Sequence, residues 1–276
     1  MREMFMTGRT KDIKWRKDQL KALLSLLDEK RDYICDVLFK DLRKVGKTLL
    51  TALDERYIKT EPYGLVLIIG AWTSPIQLII EPLIGAIAAV INGGVTETTA
   101  LLEQRFDYIF YTGTTEVGKI VAASAAKHVT PTTLELGGKN PCYIHPDSDM
   151  DLVAKRLLWG KLTNCGQLCI TPDYVLCNKE VETSLLEKIK IVLSKFYGED
   201  PQHSESLGRI VNKTQYTQMK SLMTSGDVAI GGKTDEKDFY IEPTVLVNVK
   251  TADPIMETEV SRCLLIDSIV LISLLN

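Results

Sequence analysis

The stretch DYIFYTGTTEVGKI, residues 107–120, joins a short apolar strand pattern to a helical pattern through Gly113. A second run, LVLII at residues 65–69, is apolar without alternation and ends at Gly70, which is typical of a strand buried on both faces. Strands that alternate with helices in this way predict an α/β fold with a parallel sheet.

The rest of the chain extends this alternation in both directions. Apolar residues at steps of three and four predict helices over residues 9–44, 76–90, 117–128, 149–162 and 180–196. Further strands are predicted near residues 132–136, at residues 174–177, and within DVAIGG and EPTVLVNV in the last fifth of the chain. Internal repeats and low-complexity linkers are absent from the sequence.

Composition limits the class of protein. The chain has 276 residues, 45% of them hydrophobic, which is enough for one large domain or two ordinary ones. A net charge of -3 with mixed signs offers no basic stripe for nucleic acid and no polybasic tract for lipid. The charged N-terminal residues do not resemble a secretory leader, and the six cysteines do not form a disulfide framework. We expect a cytoplasmic protein with thiols and a small-molecule partner.

The glycine turn in YTGTTEVGKI, residues 111–120, has two interpretations. A strand, a glycine turn and a helix can present backbone N–H groups to a phosphate. The pattern is close to a P-loop but has Ile120 where a hydroxyl must bind magnesium, and it lacks the middle glycine of the dinucleotide fingerprint. An ordinary strand-to-helix turn and a phosphate site therefore both stay open at this point.

The second candidate is TNCGQLCITPDY, residues 163–174, with Cys165 and Cys169 four positions apart. A zinc site needs about four ligands, and the three histidines are not spaced with this pair. The spacing also differs from the C-x-x-C of thioredoxin-like sites. Two interpretations of the pair remain: two buried thiols that pack as small apolar residues, or a single thiol activated as a nucleophile. For the nucleophile, Glu135 in TLELGGKNP is a candidate base, although the sequence pattern alone favours a solvated glutamate at a strand end.

Taken in order, LIIGAW, FYTGTTEVGK, LELGGKNPC, NCGQLCITPDY and YIEPTVLVNV resemble the aldehyde dehydrogenase superfamily. The resemblance is most detailed to its class 3 branch, and within it to the fatty aldehyde dehydrogenases, and it reaches from residue 1 to about residue 259. It implies an incomplete aldehyde dehydrogenase fold, with a Rossmann-like cofactor domain beside an α/β catalytic domain. The implied bounds are residues 1–134 for the N-terminal helices and a partial NAD(P)-binding domain, 135–260 for a partial catalytic domain, and 261–276 for an unmatched apolar tail.

The resemblance also assigns roles. Cys169 matches the nucleophile that adds to the aldehyde, and Glu135 matches the glutamate that activates water. The cofactor would be NAD or NADP, without a metal, and its predicted contacts are Trp72, Gly113, Thr114, Thr115, Glu116, Val117, Gly118 and Glu259. The substrate would be an aldehyde of medium or long aliphatic chain.

The sequence departs from the family at several points. Thr73 stands where the family has an asparagine that stabilises the oxyanion, and Ser261 stands where it has a phenylalanine on the nicotinamide ribose. Between IGAIAAV and INGGV a strand, a Lys-Pro-Ser-Glu segment and a helix are missing, and helical sequence is missing after DLRK.

These departures predict impaired activity. The alternative is an inactive remnant or isoform that at most associates with full-length family members. The resemblance further implies a homodimer whose bridging strand is missing here. It also implies relatives held at the endoplasmic reticulum by a C-terminal anchor that this chain lacks.

Overall fold

The computed structural model describes residues 13–42, 64–83, 93–257 and 268–273. These residues divide into two units. The first contains residues 13–34, 64–83 and 93–136, and the second contains residues 35–42, 137–257 and 268–273. The predicted domain bounds stay a prediction.

Helices and short parallel strands alternate along the first part of the chain. Two amphipathic helices open it, α1 (Ile13–Glu29) and α2 (Arg31–Leu42). They are joined by Lys30, whose N–H donates to the Leu26 carbonyl and whose carbonyl accepts from the Ile34 N–H, so the predicted helical segment is almost continuous. Then follow β1 (Val66–Ile69), α3 (Pro75–Leu83), α4 (Val95–Leu102), β2 (Tyr108–Thr112), α5 (Thr115–Ala126) and β3 (Thr132–Glu135).

The sheet of the first unit has the order β1-β2-β3, and all its described pairs are parallel. Leu67 lies opposite Ile109, and Thr112 lies opposite Glu135. The core of this unit joins the sheet to α4 and α5 through seven buried residues: Leu67, Leu102, Phe106, Ile109, Tyr111, Val121 and Ala125.

The second unit begins with β4 (Pro141–Tyr143), α6 (Met150–Leu162), β5 (Tyr174–Cys177) and α7 (Lys179–Tyr197). It continues through α8 (Lys213–Leu222), β6 (Asp227–Ile230), β7 (Thr234–Asp235), β8 (Tyr240–Ile241), β9 (Thr244–Val247), α9 (Pro254–Glu257) and β10 (Ser268–Ser273). Its main sheet has the order β4-β5-β10-β9-β6, parallel except for the antiparallel β6–β9 pair, and β7 pairs with β8 in a separate ribbon.

The predicted α/β class is confirmed. The apolar segment predicted as an unmatched tail contains β10, which pairs with both β5 and β9. Several predicted features lie outside the described residues, namely Glu259, Ser261, the end of the helix predicted at residues 76–90, and the two internal joints near residues 43–63 and 84–92.

Candidate functional site

The predicted cofactor residues of the first unit follow the carboxyl ends of neighbouring strands. Trp72 lies in the turn after β1, Gly113 follows β2, and Glu135 is the last residue of β3. Because these strands are parallel and adjacent, all three positions fall on one edge of the sheet. In open α/β sheets this is the edge at which ligands bind. The structure thus brings together Trp72, the glycine turn and Glu135.

The glycine turn begins α5 with an ordered set of hydrogen bonds. Thr114 is the N-cap, and its side-chain oxygen accepts from the Val117 N–H at 3.3 Å. The Gly118 N–H donates to the Thr114 carbonyl at 2.8 Å, and the Tyr111 hydroxyl donates to the same carbonyl at 3.1 Å. The first turn of a helix carries N–H groups without intrahelical partners, which suits an anionic ligand.

The two glycines of this turn have little room for a side chain. A Cβ at Gly118 would lie 2.7 Å from Cδ2 of Leu136, and a Cβ at Gly113 would overlap the Tyr111 hydroxyl. Gly118 therefore lets α5 pack closely on the chain that leaves β3. Glu116 and Val117 are exposed on the first turn, while Gly113, Thr114 and Thr115 are half-buried.

Glu135 and the turn after β1 complete this edge. The carbonyl of Glu135 accepts from the Gly113 N–H at 3.0 Å, and its side chain is exposed. Trp72 is half-buried, whereas Thr73 is only 5% exposed. The residue at the position where the resemblance predicts an asparagine is thus a buried threonine.

The cysteine loop, residues 163–173, follows α6 in the second unit. Its first part turns sharply, since Asn164, Cys165 and Gly166 have φ angles of 55°, 54° and 73°. This left-handed turn directs Cys165 into a small core with Leu207 and Tyr240, where it is 1% exposed. Cys165 is therefore a packing residue.

The front of the cysteine loop, residues 163–167, is held by Gln167, whose side chain is almost fully buried. Its amide nitrogen donates to the carbonyls of Asn164 and Arg209 at 2.9 and 3.1 Å. Its amide oxygen accepts from the Val211 N–H at 3.1 Å. The front of the loop is thereby tied to the segment before α8.

Cys169, in contrast, is exposed. The carbonyl of Cys169 accepts from the side-chain amide of Asn140 at 2.7 Å, and the carbonyl of Thr171 accepts from the same nitrogen at 2.9 Å. The loop thus holds one accessible thiol on a main chain fixed from the side, and one thiol enclosed in the core. An exposed thiol on an ordered loop can act as a nucleophile once it is deprotonated.

Behind the loop lies a buried group of charges that the sequence patterns did not single out. The carboxylate of Asp173 lies 3.9 Å from both the Lys161 and the Lys139 ammonium groups. Burial raises the pKa of the Asp173 carboxyl, against the lowering effect of the two lysines, and burial lowers the pKa of Lys139. In the sequence, the only indication of this group is a charged residue within each of two mostly uncharged segments. These are Lys161 in WGKL and Asp173 in TPDY.

The described residues contain no cluster of three histidine, cysteine or acidic side chains that could hold a metal ion. The prediction of a metal-free site stays a prediction. Within the same residues, no helix is long and apolar enough to cross a bilayer.

Comparison with known proteins defines the class. The profile of the aldehyde dehydrogenase family matches residues 85–262. Aldehyde dehydrogenase family 3 member A2 of Macaca fascicularis is 41% identical, over 94% of this chain and 67% of that protein. The dimeric NADP-preferring aldehyde dehydrogenase of Rattus norvegicus is 39% identical, over 94% of this chain and 72% of that protein. The substrate-bound structure of Staphylococcus aureus AldH superposes with a TM-score of 0.91 at 32% identity, covering 100% of this chain and 74% of that one.

The chain belongs to the aldehyde dehydrogenase family, a class of enzymes that oxidise aldehydes with NAD or NADP. Within that family it is similar to the family 3 proteins, as the sequence motifs predict. It spans about two thirds of the length of the macaque relative. The alignment with that relative covers 325 positions, which exceeds the 276 residues of the chain, so at least 49 positions have no counterpart here.

The first unit fits a nicotinamide dinucleotide by its own geometry. A side chain at Gly113 would overlap Tyr111 and one at Gly118 would overlap Leu136, so the backbone of this turn is uncovered, and the N-terminus of the twelve-residue helix α5 lies at the carboxyl edge of the sheet. Such a turn can accept a pyrophosphate close to the backbone.

Proposed function

We propose that this chain uses Cys169 and Glu135 to convert medium or long aliphatic aldehydes to carboxylic acids with NAD or NADP. We further propose that it does so far more slowly than its longer relatives. The observation that carries the first proposal is the cysteine loop, which exposes Cys169 on a fixed main chain while Cys165 is enclosed.

The chemistry begins at the thiol. The Cys169 thiolate adds to the aldehyde carbon, forming a C–S bond and a thiohemiacetal oxyanion. Bound NAD or NADP supplies the hydride acceptor for the oxidation of this adduct to a thioester. Glu135 takes a proton from water, the resulting hydroxide adds to the thioester carbon, and the C–S bond breaks to release the acid and the thiolate. The residues that would hold the cofactor are Trp72, the turn from Gly113 to Gly118, and Glu259.

Two differences within the chain support the slow rate. Thr73 replaces an asparagine whose amide would donate to the oxyanion, and loss of such a donor costs on the order of a hundred- to a thousandfold in rate. The segment with which the family holds the adenosine ribose has no counterpart between Val90 and Ile91. A cofactor that is held less firmly places its nicotinamide ring less accurately beside the substrate. Small misplacements of reacting groups lower the rate about a hundredfold.

Acyl transfer to Cys169 tests the proposal without the cofactor. The chain is treated with a p-nitrophenyl ester of a medium-chain acid, the release of nitrophenolate is followed, and the acylated residue is mapped by mass spectrometry. We expect the acyl group on Cys169 and no release above background for the Cys169→Ala variant. Equal release from that variant would remove Cys169 from the proposal. For Glu135→Gln we expect acylation to be retained and the acyl group to accumulate, because hydrolysis of the thioester slows.

The remaining proposals concern setting. We propose a cytoplasmic protein, which the presence of Cys142, Cys169 and Cys177 as thiols supports, since reducing compartments preserve thiols. Its partner is a small-molecule aldehyde, with no nucleic acid. The name of the rat relative describes a dimer, and we infer the same tendency here. Cell fractionation and size exclusion of the expressed chain test these points.

A further inference from the structure

We propose that Asn140 is a positioning residue for Cys169, acting through the main chain of the cysteine loop. The structural part of this proposal stands by itself, and only the predicted change in catalytic rate rests on the proposed function. Asn140 lies in the GGKN segment, residues 137–140, before β4 and outside the cysteine loop in sequence.

The side chain of Asn140 donates to two carbonyls in the rear of the cysteine loop, residues 168–173. Its nitrogen lies 2.7 Å from the Cys169 carbonyl oxygen and 2.9 Å from that of Thr171. A carboxamide has two N–H donors on one nitrogen, so this group can satisfy both carbonyls together. One side chain thus fixes the main chain at Cys169 and on the far side of Ile170.

The main-chain groups of Asn140 are themselves held by hydrogen bonds to Asp173. The Asn140 N–H donates to the Asp173 carboxylate at 3.2 Å, and the Asn140 carbonyl accepts from the Asp173 N–H at 2.9 Å. The carboxylate is buried between Lys139 and Lys161, and the Lys139 ammonium also donates to the Ile255 carbonyl at 2.8 Å. The buried charges therefore hold Asn140, and Asn140 holds the loop.

The rear of the loop has little other support at Cys169 and Ile170, although Thr171 and Asp173 are buried. The backbone hydrogen bond within this part of the loop, from the Thr171 N–H to the Leu168 carbonyl, is long at 3.3 Å. The side chains of Cys169 and Ile170 are both exposed. The front of the loop is held separately by Gln167. Removal of the Asn140 amide is thus expected to loosen residues 168–173 while residues 163–167 stay in place.

The test uses the full chain and the variants Asn140→Ala and Asn140→Asp. The aspartate keeps the shape of the side chain but replaces both donors with an acceptor. The matched control is Asn212→Asp, because Asn212 caps α8 by accepting from the Gln215 N–H, a role that an aspartate keeps. Hydrogen exchange is measured for residues 168–173, with residues 163–167 and helix α7 as internal references.

We expect exchange in residues 168–173 to rise about tenfold or more in both Asn140 variants, since each net hydrogen bond is worth about fivefold in a local equilibrium. The internal references and the Asn212→Asp control should stay unchanged. Unchanged exchange in residues 168–173 would overturn the inference. A rise of the same size in α7 would overturn it too, because Asn140 would then support the whole unit instead of the loop.

A kinetic measurement separates this inference from the proposed function. With the p-nitrophenyl ester, the Asn140 variants should lose about tenfold or more in kcat with little change in KM, because a displaced nucleophile still lies beside bound substrate. If Cys169→Ala leaves ester hydrolysis unchanged, the proposed function fails, and the exchange result still decides the role of Asn140. If Cys169→Ala abolishes hydrolysis and the Asn140 variants keep full kcat, the positioning role fails alone.

Discussion

Cys165 and Cys169 have opposite environments although only three residues separate them. Cys165 is 1% exposed and packs with Leu207 and Tyr240, whereas Cys169 is exposed. The left-handed turn at Asn164 and Cys165 directs the first side chain inward, whereas Cys169 lies in a later turn of the same loop. A single loop thereby supplies one packing residue and one candidate nucleophile.

The first prediction concerns the order in which these thiols react. Limited labelling of the folded chain with iodoacetamide should modify Cys169 well before Cys165 and Cys177, since access controls the rate for buried thiols. Mass mapping of tryptic peptides at several times gives the order. Labelling of Cys165 ahead of Cys169 would contradict the assignment.

The second prediction concerns Thr73. Thr73→Asn should raise kcat for ester hydrolysis, on the order of tenfold or more, by restoring a donor for the oxyanion. Thr73→Val, which removes the hydroxyl at nearly constant shape, should leave kcat unchanged. A loss of activity in Thr73→Val without a change in melting temperature would mean that the threonine hydroxyl already serves as the donor.

The third prediction concerns stability in alkaline solution. Burial, reinforced by the charge of Glu182, raises the pKa of the Cys177 thiol from its ordinary value of 9.0 to about 11. The unfolded thiol ionises first as the pH rises, so stability is complete below pH 9 and is lost between pH 9 and 11. At most ~2.7 kcal/mol is involved. Denaturant unfolding at several pH values should show a shallower decline for Cys177→Ala; parallel curves would refute this.

At the scale of elements, the start of α5 determines the candidate cofactor site. The helix begins at Thr115, two residues before the predicted start, because Thr114 caps it through the Val117 N–H. Apolar spacing detects the middle of a helix, whereas its start depends on a side-chain hydrogen bond that periodicity does not register.

The fourth prediction tests this cap. Thr114→Ala should lower the free energy of unfolding by about 1 kcal/mol, whereas Thr114→Ser, which keeps the hydroxyl, should lose much less. Denaturant unfolding of both variants measures the difference. Equal losses in the two variants would mean that the methyl group of Thr114, and not its oxygen, stabilises the turn.

Other elements show how far sequence patterns reach. The apolar runs at β1 and β2 and the periodic helices α6 and α7 were predicted nearly to their ends, because burial on a sheet or helix face directly selects their residues. The place of β10 between β5 and β9 was not predicted, since strand order depends on long-range pairing. Asn140 and Gln167 were missed for the same reason, as their partners lie on other segments.

At the scale of the whole molecule, the chain combines a family fold with internal losses. At least 49 positions of the alignment with the macaque relative have no counterpart here. Trp72, the glycine turn and Glu135 nevertheless share one sheet edge, and Cys169 keeps its loop. The sheet edge, the glycine turn and the cysteine loop of the candidate site are thus all retained despite these losses. The roles of these residues came from the resemblance, because composition and spacing alone left each of them open.

We expect this chain to combine a reactive Cys169 thiol with impaired hydride transfer. The most direct test measures NADH or NADPH formation from a medium-chain aldehyde beside hydrolysis of the matching p-nitrophenyl ester. The comparison uses this chain, its Cys169→Ala variant, and a longer family 3 relative. We expect Cys169-dependent ester hydrolysis together with cofactor reduction at least about a hundredfold below the relative. Cofactor reduction equal to that of the relative and abolished by Cys169→Ala would show intact hydride transfer, and ester hydrolysis that survives this substitution would show that Cys169 is not the nucleophile; either result would contradict this expectation.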